Sequence, residues 1–362
     1  MGDMEQQFVD EAFATNWIAP LGPNVNGFED AISSYLGNSS NVAALSSGTA
    51  AIHLGLQLLG VGKNDDVLCQ SFTFSASANP ICYLGANPVF IDSETDTWNM
   101  CPILLEQAIT EGIAKNKKPK AIVAVHLYGM PYKVKALHAI SEKYDVPILE
   151  DSAEALGSRF EDRNCGTFGT IGVLSFNGNK IITTSGGGAL VAKNKEIKDR
   201  AVHLATQARD DAPHYQHSAI GYNYRMSNVL AGIGRGQMMV LDDRVNARRF
   251  NHEYYRKRLE AKEEITFLEE GEGYFSNRWL TCVLTPSFEI REKIRMGLLA
   301  ENIESRPLWK PMHLQPVFKD SKHFVNGVSE TLFDKGLCLP SGSNLTEADL
   351  SRITTAIENI LK

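Results

Sequence analysis

The chain has 362 residues, too many for one typical domain and enough for two with ample cores. Hydrophobic residues make up 43% and charged residues 22%, the balance of an ordinary globular protein. A net charge of -7 with no Lys/Arg-rich run excludes the basic footprint of nucleic-acid binding, leaving small molecules or other proteins as partners.

The cysteines Cys69, Cys82, Cys101, Cys165, Cys282 and Cys338 stand far apart with no CxxC pair, which argues against a metal site or a disulfide framework. The opening MGDMEQQFVDEAF lacks the charged n-region and apolar core of an export signal, and no apolar run is long enough to cross a membrane. A cytoplasmic protein with no membrane partner is expected.

In chain order, Met4 to Ala14 reads as a short amphipathic helix, and NWIAPLGPN, with its prolines and glycine, as a loop. Phe28 to Leu36 reads as a second helix. NVAALSS reads as a strand ending in Ser47-Gly48-Thr49-Ala50, ahead of the apolar-periodic helix AAIHLGLQLLG. Glycine and hydroxyl residues at a helix start present free N–H groups and the positive dipole end, which bind phosphate, although Ser and Thr there are also ordinary N-caps.

Strand and helix then alternate: strand DDVLCQS, helix SASANPICYLG, strand NPVFID, helix ILLEQAITEGIAK, strand AIVAVHLYG, helix KVKALHAISEKY, strand VPILED. With NVAALSS, IGVLSF and GALVAK these make seven short apolar strands, predicting an α/β fold with a mostly parallel sheet covered by helices. Ligands bind such sheets at the carboxyl ends of the strands, so Ser47, His126, Asp151 and Ser175 mark one functional edge. Taken alone, Phe74 in SFTFSA reads equally well as a core aromatic, and His126 as a satisfied strand-end histidine.

A helix from Lys195 to Ala205 follows. GYNYRMSN then opens a long helical stretch through about Arg258, whose charge-rich face reads as solvated. From about Asn251 a smaller C-terminal α/β domain is expected, dividing the chain into 1–250 and 251–362. Its strands fall in FSNRWLTCVL and IESRPLW, and its helices at about Glu289 to Glu301 and Thr346 to Leu361. IESRPLWKPMHLQPVF and LCLPSGSNL read as proline-punctuated turns.

The stretch from Val146 to Leu190 carries the chemistry. Asp151 ends the strand VPILED. Lys180 stands four residues beyond the run Ile171 to Phe176, with Ser175 before it and Gly186-Gly187-Gly188 behind it. A lone lysine in such a loop is ordinarily a solvated surface residue. An acid and an amine at the rim of one buried sheet, beside glycines, are instead the inventory of a pyridoxal phosphate (PLP) site: the lysine holds the cofactor covalently and the acid pairs with its pyridinium nitrogen.

SFNGNKIITTSGGGAL and EDSAEALGS resemble the signature segments of the DegT/StrS-type nucleotide-sugar aminotransferases, PLP enzymes of the aspartate-aminotransferase fold (fold type I). The resemblance runs from NWIAPLGPNV to LPSG. It is sharpest, through NWIAPLGPNV, PICYLGANPVFID and RPLWKPMH, to the bacterial enzymes that aminate the 4-keto group of UDP-2-acetamido-2,6-dideoxy sugars on the way to bacillosamine.

The resemblance implies an amino group moved from L-glutamate to that keto sugar, with Lys180 and Asp151 catalytic. It implies that Phe74 stacks on the pyridine ring and that Ser47, Gly48, Thr49 and Ser175 hold the phosphate. Glu154 would lie near the cofactor hydroxyl and the sugar. Asn223 would reach the phosphate from a neighbouring subunit, making a homodimer with shared sites. Trp17, Arg225, Arg306, Trp309 and His313 would face the sugar nucleotide. Related dehydrating enzymes carry His in place of the lysine, so Lys180 favours transamination. The alternatives are amination at a 3-keto position or on a dTDP-linked sugar and, in another class, a non-catalytic PLP-fold regulator.

Overall fold

The computed structural model describes residues 1–38 and 40–362. All seven expected strands form. They lie in one sheet in the order Asn41–Leu45, Gly188–Ala192, Ile171–Ser175, Ile148–Asp151, Ala121–Val125, Asp66–Gln70 and Asn87–Ile91. The strand Gly188–Ala192 runs antiparallel to both its neighbours and the other pairings are parallel. Ala121–Val125 is buried at every residue, as a continuous apolar strand covered on both faces must be.

An eighth strand, His323–Phe324, extends the sheet beside Asn87–Ile91 in parallel register, so the expected sheet of seven is corrected to eight. Two residues carry no alternation that a pattern could reveal. The expected helix from Lys195 to Ala205 forms with those bounds, whereas the second helix starts earlier than read, at Pro23, because proline fits the first turn of a helix.

The long helical stretch is two helices, Asn228–Met239 and Leu241–Leu259, meeting at Val240. The second runs unbroken through Asn251. Its Leu241 and Val245 join a core cluster of the large sheet, while Tyr255 and Leu259 join Ile294, Leu298, Leu350 and Ile353 in the core of the C-terminal part. That part is built on a four-stranded antiparallel sheet in the order Thr266–Phe267, Thr281–Leu284, Gly336–Leu339 and Arg306–Pro307.

FSNRWLTCVL does not form one strand. Tyr274–Phe275 pairs with Arg159–Phe160 of the large part, and Thr281–Leu284 enters the small sheet. Between them Arg278 takes a left-handed φ of 51°, and Trp279 is turned inward. The carbonyl of Trp279 accepts from the buried guanidinium of Arg248, and its indole N–H donates to the Asn179 carbonyl at 2.8 Å.

Asp92 ties the C-terminal segment to the large sheet. Its buried carboxyl accepts from the backbone N–H groups of Ser93, Asn326, Gly327 and Ser329 at 2.7–3.0 Å. Burial opposes ionisation, but the hydrogen bonds from Ser329, Asn326 and Ser93 outweigh it and hold the carboxyl below its usual range. A depressed acid stabilises the fold above its unfolded value and loses that contribution as pH falls through the folded one. Asp92→Ala is therefore expected to cost about 3 kcal/mol, the upper range for orphaning buried donors, by denaturant titration at neutral pH. In wild type the Asp92 contribution should fade below about pH 4, and Asp92→Asn should lack that acid-dependent component.

Candidate active site

The N-terminus of the helix Gly48–Leu58 abuts the sheet edge. Ser47 caps it from an extended conformation, accepting from the Ala50 N–H at 3.0 Å. The N–H groups of Gly48 and Thr49 precede the first intrahelical bonds, and both residues line the cavity. The approach leaves no room for side chains. A Cβ on Gly48 would lie 3.0 Å from the Ser175 Cβ, and one on Gly188 would lie 2.3 Å from the Ser47 carbonyl carbon.

Beside this helix end lies a cavity of about 1040 Å³. Ser47, Gly48, Thr49, Phe74, Asp151, Glu154, Ser175 and Lys180 line it together with Trp279, Arg306 and Trp309. The Asp151 carboxyl is 4% exposed and fixed from two directions, accepting from the Ser77 hydroxyl at 2.6 Å and from the Ala153 N–H at 3.1 Å. The Lys180 Nζ sits 3.7 Å from Glu154 Oε1 and 4.3 Å from the centre of the Trp279 ring. A cation over an indole face is attracted by the ring quadrupole.

Burial pushes the Glu154 carboxyl up to about 7, and the Asp151 charge adds to this, while the Lys180 ammonium and the Tyr128 N–H at 2.6 Å oppose it. Glu154 is thus divided between its two protonation states near neutral pH and can exchange a proton with a neighbouring amine. Phe74 is exposed at the cavity and tilts against Trp309, with centroids 5.5 Å apart.

His126 takes no part in this wall. Its Nδ1 accepts from the Tyr132 N–H at 3.2 Å, so Nε2 carries the proton and donates to Glu150 at 2.7 Å. The ring is fully buried and stacks on Tyr132, and its place on the functional edge is corrected to a structural one. Arg225 is likewise held elsewhere, bonded to Glu29 and the Ala44 carbonyl. His313 is buried between Ser71 at 2.6 Å and Glu330 at 3.2 Å. Within this chain both side chains are engaged by these partners, and neither lines the cavity. Trp17 and Asn223 are exposed and lie outside the cavity of their own chain.

Ser77, Tyr128 and Trp279 belong to the site and were not anticipated. Ser77 stands in SFTFSAS, three residues beyond Phe74 in the same turn. Tyr128 and Trp279 carry no local signal, because their relevance comes from loops that meet only in the fold.

The cavity fits PLP. It offers a buried acid for the ring nitrogen, an amine for the aldehyde, and an open helix terminus with a serine hydroxyl for the phosphate. Fold and site define a PLP-dependent aminotransferase with a mostly parallel central sheet. The chain belongs to the DegT/DnrJ/EryC1/StrS aminotransferase family, whose model matches residues 1–358, and it is a PLP-dependent sugar aminotransferase.

Among its relatives is EpsN of Bacillus subtilis (strain 168), to which a PLP-dependent aminotransferase activity is ascribed. It is 49% identical over 357 residues, covering 98% of this chain and 92% of EpsN. GDP-perosamine synthase of Escherichia coli O157:H7 is 35% identical over 353 residues, covering 98% of this chain and 94% of that protein. The crystal structure of a DegT DnrJ EryC1 StrS aminotransferase from Brucella abortus superposes with a TM-score of 0.92 at 30% identity, covering 98% of this chain and 95% of that one.

Because burial raises the Glu154 carboxyl, its proton comes off only as pH rises through about 7. If the ionised form accepts the Lys180 proton, the single-turnover rate with an amino donor should fall below that pH with a slope of one proton. Glu154→Gln should remove this limb, as stopped-flow absorbance across pH 5.5–8.5 would show; an unchanged limb assigns it to another group.

Proposed function

We propose that this aminotransferase moves the amino group of L-glutamate to the 4-keto carbon of a UDP-2-acetamido-2,6-dideoxy-hexos-4-ulose, giving the UDP-4-amino sugar. The observation that carries this reading is the convergence of Lys180, Asp151 and the open Gly48–Leu58 helix terminus on one cavity that extends to Arg306 and Trp309 of the small sheet. A volume of about 1040 Å³ is more than an amino acid needs and suits a nucleotide-linked sugar. A second reading, a GDP-linked sugar, is favoured by the relative named for GDP-perosamine.

When bound, PLP supplies an electron sink for the carbanion left at the donor α-carbon. The rest falls to the chain. Lys180 Nζ, which would hold the cofactor, would also serve as the base that takes and gives back the α-proton in both halves of the reaction. Glu154, 3.7 Å away, would take up or release a proton beside that amine. Asp151, locked by Ser77 and Ala153, keeps the ring nitrogen protonated. Phe74 holds the ring plane, and Ser47, Gly48, Thr49 and Ser175 grip the phosphate. Arg306, half of an exposed pair with Glu304, and Trp309 receive the nucleotide. Asn223 reaches the phosphate, and Trp17 the sugar, of a neighbouring copy in a homodimer.

Lys180→Ala should abolish turnover while leaving the melting temperature within a few degrees, because its ammonium makes one long contact with Glu154 and one with the Trp279 ring face. Asp151→Asn should keep PLP but lose activity on the order of 100-fold or more, since an amide cannot stabilise a protonated ring nitrogen as a carboxylate does. Assayed with L-glutamate, the UDP-linked 4-keto sugar should give the highest kcat/KM among UDP-, GDP- and dTDP-linked keto sugars. A GDP-linked sugar in first place would put the second reading in its stead.

Shared sites make a separate expectation. Mixing Lys180→Ala chains with Asn223→Ala chains should recover activity beyond that of either alone, because one site of each mixed dimer then has both residues. Exchange of subunits without recovery would place Asn223 outside the site.

A further inference from the structure

Tyr128 touches two residues that line the cavity, Glu154 and Trp309. It stands in the turn Leu127–Gly129 that leaves the strand Ala121–Val125, with φ 53° and ψ 21°. A bulky residue rarely adopts this left-handed backbone. Gly129 continues the turn at φ 90°, where a Cβ would meet Asn277 Oδ1 at 2.0 Å, so the turn is pinned from outside.

The conformation aims the two ends of one residue at two different elements. The Tyr128 N–H donates to Glu154 Oε2 at 2.6 Å. Its Oη, across a ring packed against Phe72 and Trp309, accepts from the Trp309 N–H at 2.9 Å. Glu154 faces Lys180, and Trp309 faces Phe74. Glu154 and the Trp309 loop are thereby joined through a single residue that is only 3% exposed.

We propose that Tyr128 is a positioning residue that works at both ends, its backbone N–H fixing the Glu154 carboxyl beside Lys180 and its hydroxyl fixing the Trp309 loop over the cavity. Besides burial, the largest influence, the groups that set the charge of Glu154 are Lys180, the Tyr128 N–H and Asp151, with Cys282 also felt. Of these, the N–H depends on the left-handed backbone. Relaxing that backbone withdraws a donor from the ionised carboxylate and moves its midpoint to higher pH. Removing the hydroxyl frees the Trp309 amide without disturbing Glu154.

Three readouts test this on the holoenzyme, and only the last rests on the nucleotide-sugar reading above. In Tyr128→Phe, hydrogen exchange at the Trp309 amide should quicken about 3- to 10-fold, the worth of one neutral hydrogen bond. In Tyr128→Ala, the carboxyl stretch of Glu154, assigned with Glu154→Gln, should titrate at least about half a unit higher than in wild type, as expected for a lost donor to the charged form. Tyr128→Asn should titrate closer to wild type, because Asn tolerates the left-handed backbone, whereas a merely structural role predicts equal effects for Ala and Asn.

In Tyr128→Phe the KM for the nucleotide sugar should rise about 3- to 10-fold, more than the single-turnover rate with L-glutamate falls. Unchanged exchange at Trp309 in Tyr128→Phe, or an unmoved Glu154 midpoint in folded Tyr128→Ala, overturns the proposal. A wild-type protein that aminates no nucleotide sugar sinks the substrate reading instead, and the exchange and infrared results still decide the role of Tyr128.

Discussion

Three ionisable side chains, Asp151, Glu154 and Lys180, share one largely dehydrated wall, and much of the surrounding structure serves to make that tolerable. Charged groups out of water are costly unless paired or hydrogen-bonded. Asp151 is satisfied by Ser77 and the Ala153 N–H. Lys180 finds a carboxyl and an indole face. Glu154 bears the imbalance of two acids against one amine, which is why burial and Asp151 together raise it to about 7.

The same economy governs the back of the site. Glu150, the neighbour of Asp151 in the strand, points the other way and is buried completely. There it accepts from His126 and from the N–H groups of Gly166, Phe168 and Gly169. These donors hold its carboxyl down although burial alone would raise it. Alternation along one strand thus gives two adjacent acids opposite tasks, one facing the cavity and one closing the loop that follows the sheet.

The small sheet contributes its part through a shared helix rather than a linker. Leu241–Leu259 begins in one core and ends in the other, and its Arg248 binds the carbonyl of Trp279. That anchoring carries Trp279 to Lys180. Tyr128 closes the ring from the other side by holding Trp309, so the mouth of the cavity is defined by contacts between parts remote in the chain. The strained turn at Tyr128 costs about 1–3 kcal/mol and persists because Asn277, Glu154 and Trp309 over-determine it.

The sequence by itself determined the seven sheet strands, the capped helix start at Ser47 and the placing of Lys180 and Asp151 at one end of the sheet. Each rests on local rules: unbroken apolar runs mark strands buried on both faces, a hydroxyl before a helix marks its cap, and strand ends mark where ligands bind. Only the tertiary structure decided that Arg225 and His313 are occupied by Glu29, Ser71 and Glu330, that His126 faces away, that Ser77 and Trp279 complete the wall, and that Tyr128 braces Glu154 and Trp309. The Trp279–Asn179 contact spans 100 residues and the Tyr128–Trp309 contact 181. Partnership and burial at such separations have no period in the chain, and the acidity of Glu154 depends on them, so neither could be read before the fold brought the groups together.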